Sequence, residues 1–228
     1  MAWHREHLPE PLPAEPLELA ATWLAEATRR ETQPNPNAMV LATADAAGQP
    51  SARVVLCKQI IPRPGLLTFY TNYESHKGRE LGLNPRAAVV MHWDALRRQV
   101  RVEGRVVRAS AADSDAYFAT RNWQSRLGAW ASQQSQPIAS RAELLRTVAR
   151  TALRLALPAP SGDEQAADPG IRIARPPHWG GFNLWAEAVE LWVEGSARIH
   201  DRARWTRTLV SADGAFTCGP WSASRLQP

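Results

Sequence analysis

Apolar positions recur at helical spacing in one early stretch, where Leu17, Ala20, Ala21, Leu24 and Ala27 run up to the polar Arg29-Arg30-Glu31. Pro16 suits a first helical turn, so the pattern predicts a helix from Pro16 that Gln33-Pro34-Asn35-Pro36-Asn37 stops. Ahead of it, residues 1–15 are polar and broken by Pro9, Pro11 and Pro13, which predicts an extended arm. Beyond it the period changes. Short β-type runs occupy Ala38 to Thr43, Ala52 to Lys58, Leu66 to Thr71, Ala87 to Trp93 and Gln99 to Val107, each bounded by turn residues. Asp45-Ala46-Ala47-Gly48 reads as a hairpin loop between the first two.

Two helix starts of capping-box type follow, Ser110 to Asp113 and Ser140 to Glu143. Ser161 to Gly170 is acidic and poor in apolar residues, predicting a flexible insertion over about residues 160–172. Strand patterns resume at Trp179, through Phe182 to Trp185, Val189 to Val193, Arg204 to Leu209 and Ala215 to Trp221. Strands so closely spaced favour an antiparallel meander or barrel over βαβ units, and no Gly-x-Gly-x-x-Gly or Walker pattern is present. With no internal repeat, the reading is a mostly antiparallel α+β domain over 16–228 behind the arm.

Composition narrows the class. The 228 residues are 44% hydrophobic and 21% charged, an ordinary globular balance. No apolar run approaches the roughly 20 residues of a membrane helix, and Met1 to His7 lack a signal-peptide core, so the expectation is a cytoplasmic protein with no membrane partner. Cys57 and Cys218 are far apart and read as free thiols. No metal site is expected, since His4, His7, His92 and His178 have no second ligand at metal spacing.

A net charge of +5 suits an anionic partner. The basic residues are spread along the chain without zinc-finger, basic-zipper or RNA-binding signatures, so phosphorylated small molecules are preferred over nucleic acid. Of the 27 Lys and Arg residues only Lys58 and Lys77 are lysines, which singles out those two positions.

Four clusters carry candidate chemistry. In Arg53 to Lys58, strand alternation puts Arg53, Val55 and Cys57 on one face and Val54, Leu56 and Lys58 on the other; Cys57 is not read as a nucleophile. In Tyr70 to Arg79, hydroxyls and Lys77 meet a helix beginning near Ser75, an arrangement suited to phosphate. Tyr117, Arg121 and Ser125 fall four apart, as on one helical stripe. Arg198, His200 and Arg202 alternate as on one strand face, two cations around an imidazole. Taken singly, each also suits a plain structure: a barrel strand with charged ends, a capped turn, a solvated helix face, a charge-paired edge strand.

Taken in order, the clusters resemble the pyridoxine (pyridoxamine) 5′-phosphate oxidase family from about Leu12 to the last residue. The most specific pieces are Asn37 to Thr43, Arg53 to Lys58, Phe69-Tyr70-Thr71-Asn72, Arg98-Gln99-Val100, Gly128 to Ser135, Trp179-Gly180-Gly181-Phe182, Arg198 to Arg202 and Arg225-Leu226-Gln227-Pro228. The resemblance implies a split β-barrel homodimer with FMN at the interface and each site drawing on both chains. It implies flavin contacts from Arg53, Val54, Val55, Leu56, Cys57, Lys58, Tyr70, Thr71, His76, Lys77, Gln99, Gln134, Ser135, Trp192 and Arg202. For a phosphorylated B6 vitamer it implies a phosphate clamp of Lys58, Tyr117, Arg121 and Ser125, with Arg198, Ile199 and His200 over the ring and Arg198 and His200 catalytic. The implied reaction is oxidation of pyridoxamine or pyridoxine 5′-phosphate to pyridoxal 5′-phosphate by dioxygen, releasing hydrogen peroxide, and ammonia from the amine.

Departures accompany the match. His76 stands where the family usually has an arginine, which leads us to expect that FMN affinity weakens as pH rises. Many members have an arginine-containing N-terminal segment that closes over the substrate, and here the arm before Leu12 is short and lacks a convincing counterpart. A flavin oxidase acting on another ring, as in phenazine-forming relatives, and a non-catalytic module that stores FMN or pyridoxal phosphate remain open alternatives.

Overall fold

The computed structural model describes residues 6–161, 163, 167–212 and 214–228. Helix α1 (Pro16–Arg29) begins on its proline and buries Leu17, Ala20, Trp23 and Ala27 along one stripe, the face that its apolar spacing marks out. It packs on a sheet built from β1 (Ala38–Ala44), β2 (Pro50–Leu56), β3 (Gln59–Ile61), β4 (Leu66–Asn72), β5 (Arg86–Trp93), β6 (Arg98–Arg108), β7 (Trp179–Val193), β8 (Asp201–Thr206) and β11 (Ser222–Leu226). The order is β11-β8-β7-β6-β5-β1-β2, with β4 also paired to β7 and β3 to β4, and all pairs are antiparallel. The Lys58 N–H donates to the Thr68 carbonyl at 2.8 Å, which brings the chain just past β2 against β4 and curls the sheet into a half-barrel. A separate hairpin, β9 (Leu209–Ala212) with β10 (Ala215–Cys218), precedes β11.

Where two strands were expected over Phe182–Trp185 and Val189–Val193, the structure has one of fifteen residues, β7. The register against β6 slips between Glu103 and Gly104, so Glu187 is an extra residue on β7. Such a bulge adds twist, and here it coincides with a change of partner: Trp179 to Trp185 pair with β4, Ala188 to Val193 with β8. Polar Glu187 between two alanines breaks the apolar run in the sequence while the strand continues. Gly104 is required there, because a Cβ on it would lie 1.9 Å from the Trp185 carbonyl oxygen. We expect Gly104→Ala to cost about 3 kcal/mol in urea unfolding, near the upper end for overpacking.

Three helices lie apart from the main core. Helix α3 (Ala111–Ala119) starts at Ser110, whose hydroxyl accepts from the Asp113 N–H, and α5 (Arg141–Arg154) starts at Ser140 in the same way with Glu143. Between them α4 (Trp123–Ala131), capped by Asn122, was not foreseen. They enclose a second apolar cluster of Phe118, Trp123, Leu127, Ala152, Leu157, Ile173 and Trp179. The remaining helix, α2 (His76–Leu83), follows β4 directly. Among the described residues no helix is long and apolar enough to cross a membrane.

Residues 6–15 run without helix or strand but are held down. Leu8 is 3% exposed, the Pro13 carbonyl accepts from the Trp205 indole at 2.8 Å, and Arg98 binds Glu6 and Glu26 at 2.6 Å each. Residues 1–5, with His4, lie outside the described residues, as do 162 and 164–166 of the acidic insertion. Asp168 of that segment pairs with Arg126 on α4 at 2.5 Å.

Candidate active site

A cleft of about 720 Å³ opens between the main core and the helical cluster. Its walls are the end of β2 with Lys58, the end of β4, the first turn of α2, the α3–α4 corner, the segment after α4 and the first residue of β7. Arg53, Val54, Val55, Leu56, Lys58, Tyr70, Thr71, Lys77, Tyr117, Arg121, Ser125 and Gln134 line it, joined by Asn72, Asn122, Gly128, Ala129, Ser132 and Trp179. No Asp or Glu is among these residues, whereas four are Lys or Arg.

At one end Ser75 caps α2 by accepting from the Gly78 N–H and so fixes the first turn, which carries Lys77. Lys77 is 8% exposed, and its ammonium donates to Thr71 Oγ1 at 3.1 Å, Ser75 Oγ at 3.2 Å and Gln134 Oε1 at 2.9 Å. All three acceptors are neutral, and no carboxylate pairs with it among the described residues. Burial first and the Arg53 charge second pull its pKa down to about 8. Burying a cation is costly unless it is paired, so this end of the cleft suits an anion.

Arg53 differs: its guanidinium donates to the hydroxyls of Thr43 and Ser51 and to Glu80 Oε2 at 3.3 Å. Glu80 is buried, and burial raises its carboxyl while hydrogen bonds from Thr43 and Ser51, with His76 and Arg53 nearby, outweigh that and hold it below the usual range. His76 does not line the cleft; its Nε2 lies 3.0 Å from Glu80 Oε1, on a side chain 57% exposed. The pH dependence expected of His76 therefore lacks a geometric basis in this chain.

At the other end the α3–α4 corner presents Tyr117, Arg121 and Ser125. They are not on one helical stripe, since α3 ends at Ala119 and α4 begins at Trp123. The turn still brings them to one wall. Arg121 is largely buried, its Nη1 has no hydrogen-bond partner among the described residues, and its guanidinium lies 4.7 Å from the centre of the Trp179 ring. Lys58 sits 5.6 Å from the centre of the Tyr117 ring and makes no ion pair among the described residues. Two anion-seeking ends thus share one cleft.

Other expected residues are elsewhere. Cys57 is buried in the core, its thiol pushed up to about 12 by burial, and β2 ends at Leu56 rather than carrying Cys57 and Lys58. Ser135 follows Gln134 in a left-handed turn, φ 72°, and is not on the cleft wall. Gln99, Trp192 and Arg202 are direct neighbours across β6, β7 and β8, one row on one face of the sheet. Arg202 is spoken for within the chain, donating twice to buried Glu190 at 2.8 and 3.1 Å and once to the Gln227 carbonyl.

The alternation expected for Arg198, His200 and Arg202 is corrected too. Arg198 is in a short 3₁₀ turn, Ser196–Arg198, with φ 64°, and His200 precedes β8, so neither shares a strand face with Arg202. The His200 ring packs against Trp192 with centroids 4.7 Å apart, and its Nδ1 accepts the Gly195 N–H at 3.2 Å, leaving Nε2 to carry the ring proton. Ile199 beside it is 72% exposed.

The candidate residues thus form two groups on one chain. The cleft group meets β7 at Trp179 and the imidazole group at Trp192, thirteen positions on, about 40 Å along an extended strand.

A family model described as pyridoxamine 5′-phosphate oxidase matches residues 25–154, and one described as pyridoxine 5′-phosphate oxidase C-terminal dimerisation region matches 179–228. The pyridoxine/pyridoxamine 5′-phosphate oxidase of Paracoccus denitrificans (strain Pd 1222) is 48% identical over 225 residues, covering 94% of this chain and 95% of its own length. That of Rhodospirillum rubrum is 46% identical over 218 residues, covering 94% and 96%. Among solved structures, PhzG from Burkholderia lata 383, in complex with tetrahydrophenazine-1-carboxylic acid, aligns with a TM-score of 0.78 at 28% identity over 95% of this chain and 94% of that one. A pyridoxamine 5′-phosphate oxidase-related, FMN binding protein from Nostoc punctiforme PCC 73102 shares the fold, with a TM-score of 0.65 at 16% identity over 95% and 100%.

Proposed function

The chain belongs to the pyridoxamine 5′-phosphate oxidase family, and from that premise we propose that it oxidises pyridoxamine or pyridoxine 5′-phosphate to pyridoxal 5′-phosphate with FMN, as a homodimer. The observation that carries this reading is the carboxylate-free cleft with two separate cationic ends, one at Lys77 and one at Arg121. Cofactor and substrate each bear a phosphate of about −1.5 to −2 charge, so a site for both needs two such ends.

Lys77, Arg53, Thr71 and Gln134 fit the cofactor phosphate: a buried ammonium held by neutral oxygens gains its missing counter-charge. Lys58, Tyr117, Arg121 and Ser125 fit the substrate phosphate, and the orphaned Arg121 Nη1 gains an acceptor. When bound, FMN would supply the redox chemistry, as a two-electron acceptor that dioxygen reoxidises. Gripping the remote phosphate orients the pyridine, so binding energy is converted into placement of the reacting carbon. Arg198 and His200, brought from the second chain, stand over that ring. The hydrogen bond from Gly195 sets the His200 tautomer, so that Nε2–H is the group presented for donation to a substrate oxygen or nitrogen. Arg198, which makes no ion pair among the described residues, offers charge stabilisation beside it.

The purified protein should be yellow, elute as a dimer, and release one hydrogen peroxide per pyridoxal 5′-phosphate formed. A colourless protein, or yellow protein without peroxide from either substrate, sinks the assignment; the latter outcome is that of a storage module. The likeness to PhzG favours a second reading, a flavin oxidase of a ring carboxylate without phosphate. Against it stands the Lys58, Tyr117, Arg121 and Ser125 wall, which would be idle on such a substrate. Competition by inorganic phosphate separates the two, since it inhibits only an enzyme that grips phosphate.

A further inference from the structure

We propose that Trp179 is a positioning residue for the substrate phosphate, holding Arg121 and Tyr117 in the geometry of the clamp; this rests on the reading above and extends it to a residue outside the clamp. Arg121 lies in the turn between α3 and α4, where no helical ladder fixes its direction. Its buried Nη1 has no acceptor among the described residues, so no hydrogen bond seen from that nitrogen aims it either. What it does have is a ring face. Its guanidinium carbon is 4.7 Å from the Trp179 centroid and 5.5 Å from that of Phe118, and a cation is drawn to such a face most strongly on tryptophan.

The same indole backs the phenol. Trp179 is within 9° of parallel with Tyr117 at 6.1 Å and within 12° of parallel with Tyr70 at 5.6 Å, while Tyr70 and Tyr117 stack at 4.0 Å. Trp179 is itself fixed. It is 6% exposed, its N–H donates to the Pro176 carbonyl at 3.1 Å, and its carbonyl accepts from Arg175, which is tied to Asp115 on α3 at 2.7 Å. The glycine two residues on matters as well, since a Cβ at Gly181 would lie 2.9 Å from the Tyr70 ring. Two of the four clamp residues therefore take their orientation from one buried indole, which also belongs to the helical cluster behind them.

The test compares Trp179→Leu, which fills space without a ring face, with Trp179→Phe, which keeps a smaller one. In the dimeric holoenzyme, Trp179→Leu should raise KM for pyridoxamine 5′-phosphate and Ki for inorganic phosphate about tenfold, the loss of one desolvated cation–π contact. Its kcat should stay within about twofold and FMN affinity should not change, because the Lys77 end is untouched. Trp179→Phe should recover most of the loss. An unchanged KM, or kcat and FMN affinity falling together with KM, overturns the proposal. Should Trp179→Leu fail to fold, Trp179→Phe decides: its smaller rise in KM must vanish in an Arg121→Met background, and persistence there overturns the proposal. Wild-type protein that does not turn over pyridoxamine 5′-phosphate refutes the function itself; a phosphate dissociation constant, measured by calorimetry, that still rises about tenfold in Trp179→Leu would then leave the positioning role standing.

Discussion

Co-expressing a Lys58→Ala chain with a His200→Ala chain should restore about a quarter of wild-type activity, although each variant alone falls to a hundredth or less. The arithmetic follows from a twofold dimer whose sites each take the cleft from one protomer and the imidazole from the other. Random pairing makes half of the dimers mixed. In each mixed dimer one site collects both defects and the other collects neither. The structural reason is the placement along β7: its first residue, Trp179, lines the cleft together with Lys58, Arg121 and Lys77, while His200 rests on Trp192 near its end. Tagging the two chains differently and assaying the doubly purified mixed dimer sharpens the expectation to about one half. A silent mixed dimer would mean that each chain builds its site alone.

Replacing Lys77 by Met should weaken FMN binding by at least about a hundredfold, since it removes the buried cation from the phosphate end. The pH dependence makes the claim specific. In the flavin-free protein burial and Arg53 bring Lys77 to about 8. A bound phosphate favours the charged lysine, so binding above that pH takes up a proton, and affinity should fall as pH rises beyond about 8. Flavin-free stability should move the other way. The unfolded lysine keeps its proton up to its ordinary 10.5, so between about 8 and 10.5 the unfolded chain binds more protons, and stability rises with pH. Fluorescence titration with FMN and thermal melts of flavin-free protein from pH 7 to 10 measure both slopes. An affinity that is flat across this range, or Lys77→Met retaining the wild-type profile, contradicts the assignment.

Much of this was legible in the chain. The α1 stripe, the serine caps at Ser75, Ser110 and Ser140 and the period-two runs are local signals, and the structure repeats them nearly residue for residue. Both lysines, singled out by scarcity alone, stand at the cleft. What failed was inference about which residues share a face. Periodicity assumes that an element continues, and the chain turns between Ala119 and Trp123 and again at Ser196–Arg198, so Tyr117 with Arg121 and Arg198 with Arg202 are related by corners. The bulge at Glu187 misled in the opposite sense, dividing one strand into two patterns. Trp179 was noticed only as part of a motif, because its value lies in ring faces supplied by residues distant in sequence.

Asp201 opens β8 immediately after His200 and joins both ends of the polypeptide. One carboxylate oxygen accepts from the Leu8 N–H at 2.8 Å, the other from Arg225 at 2.5 Å, and Arg225 reaches on to Glu10 at 2.6 Å. Cleavage that frees the Leu8 segment or the Arg225 strand therefore loosens the tether of the imidazole. A preparation nicked in this way should stay yellow, its flavin grip being remote, while its turnover decays.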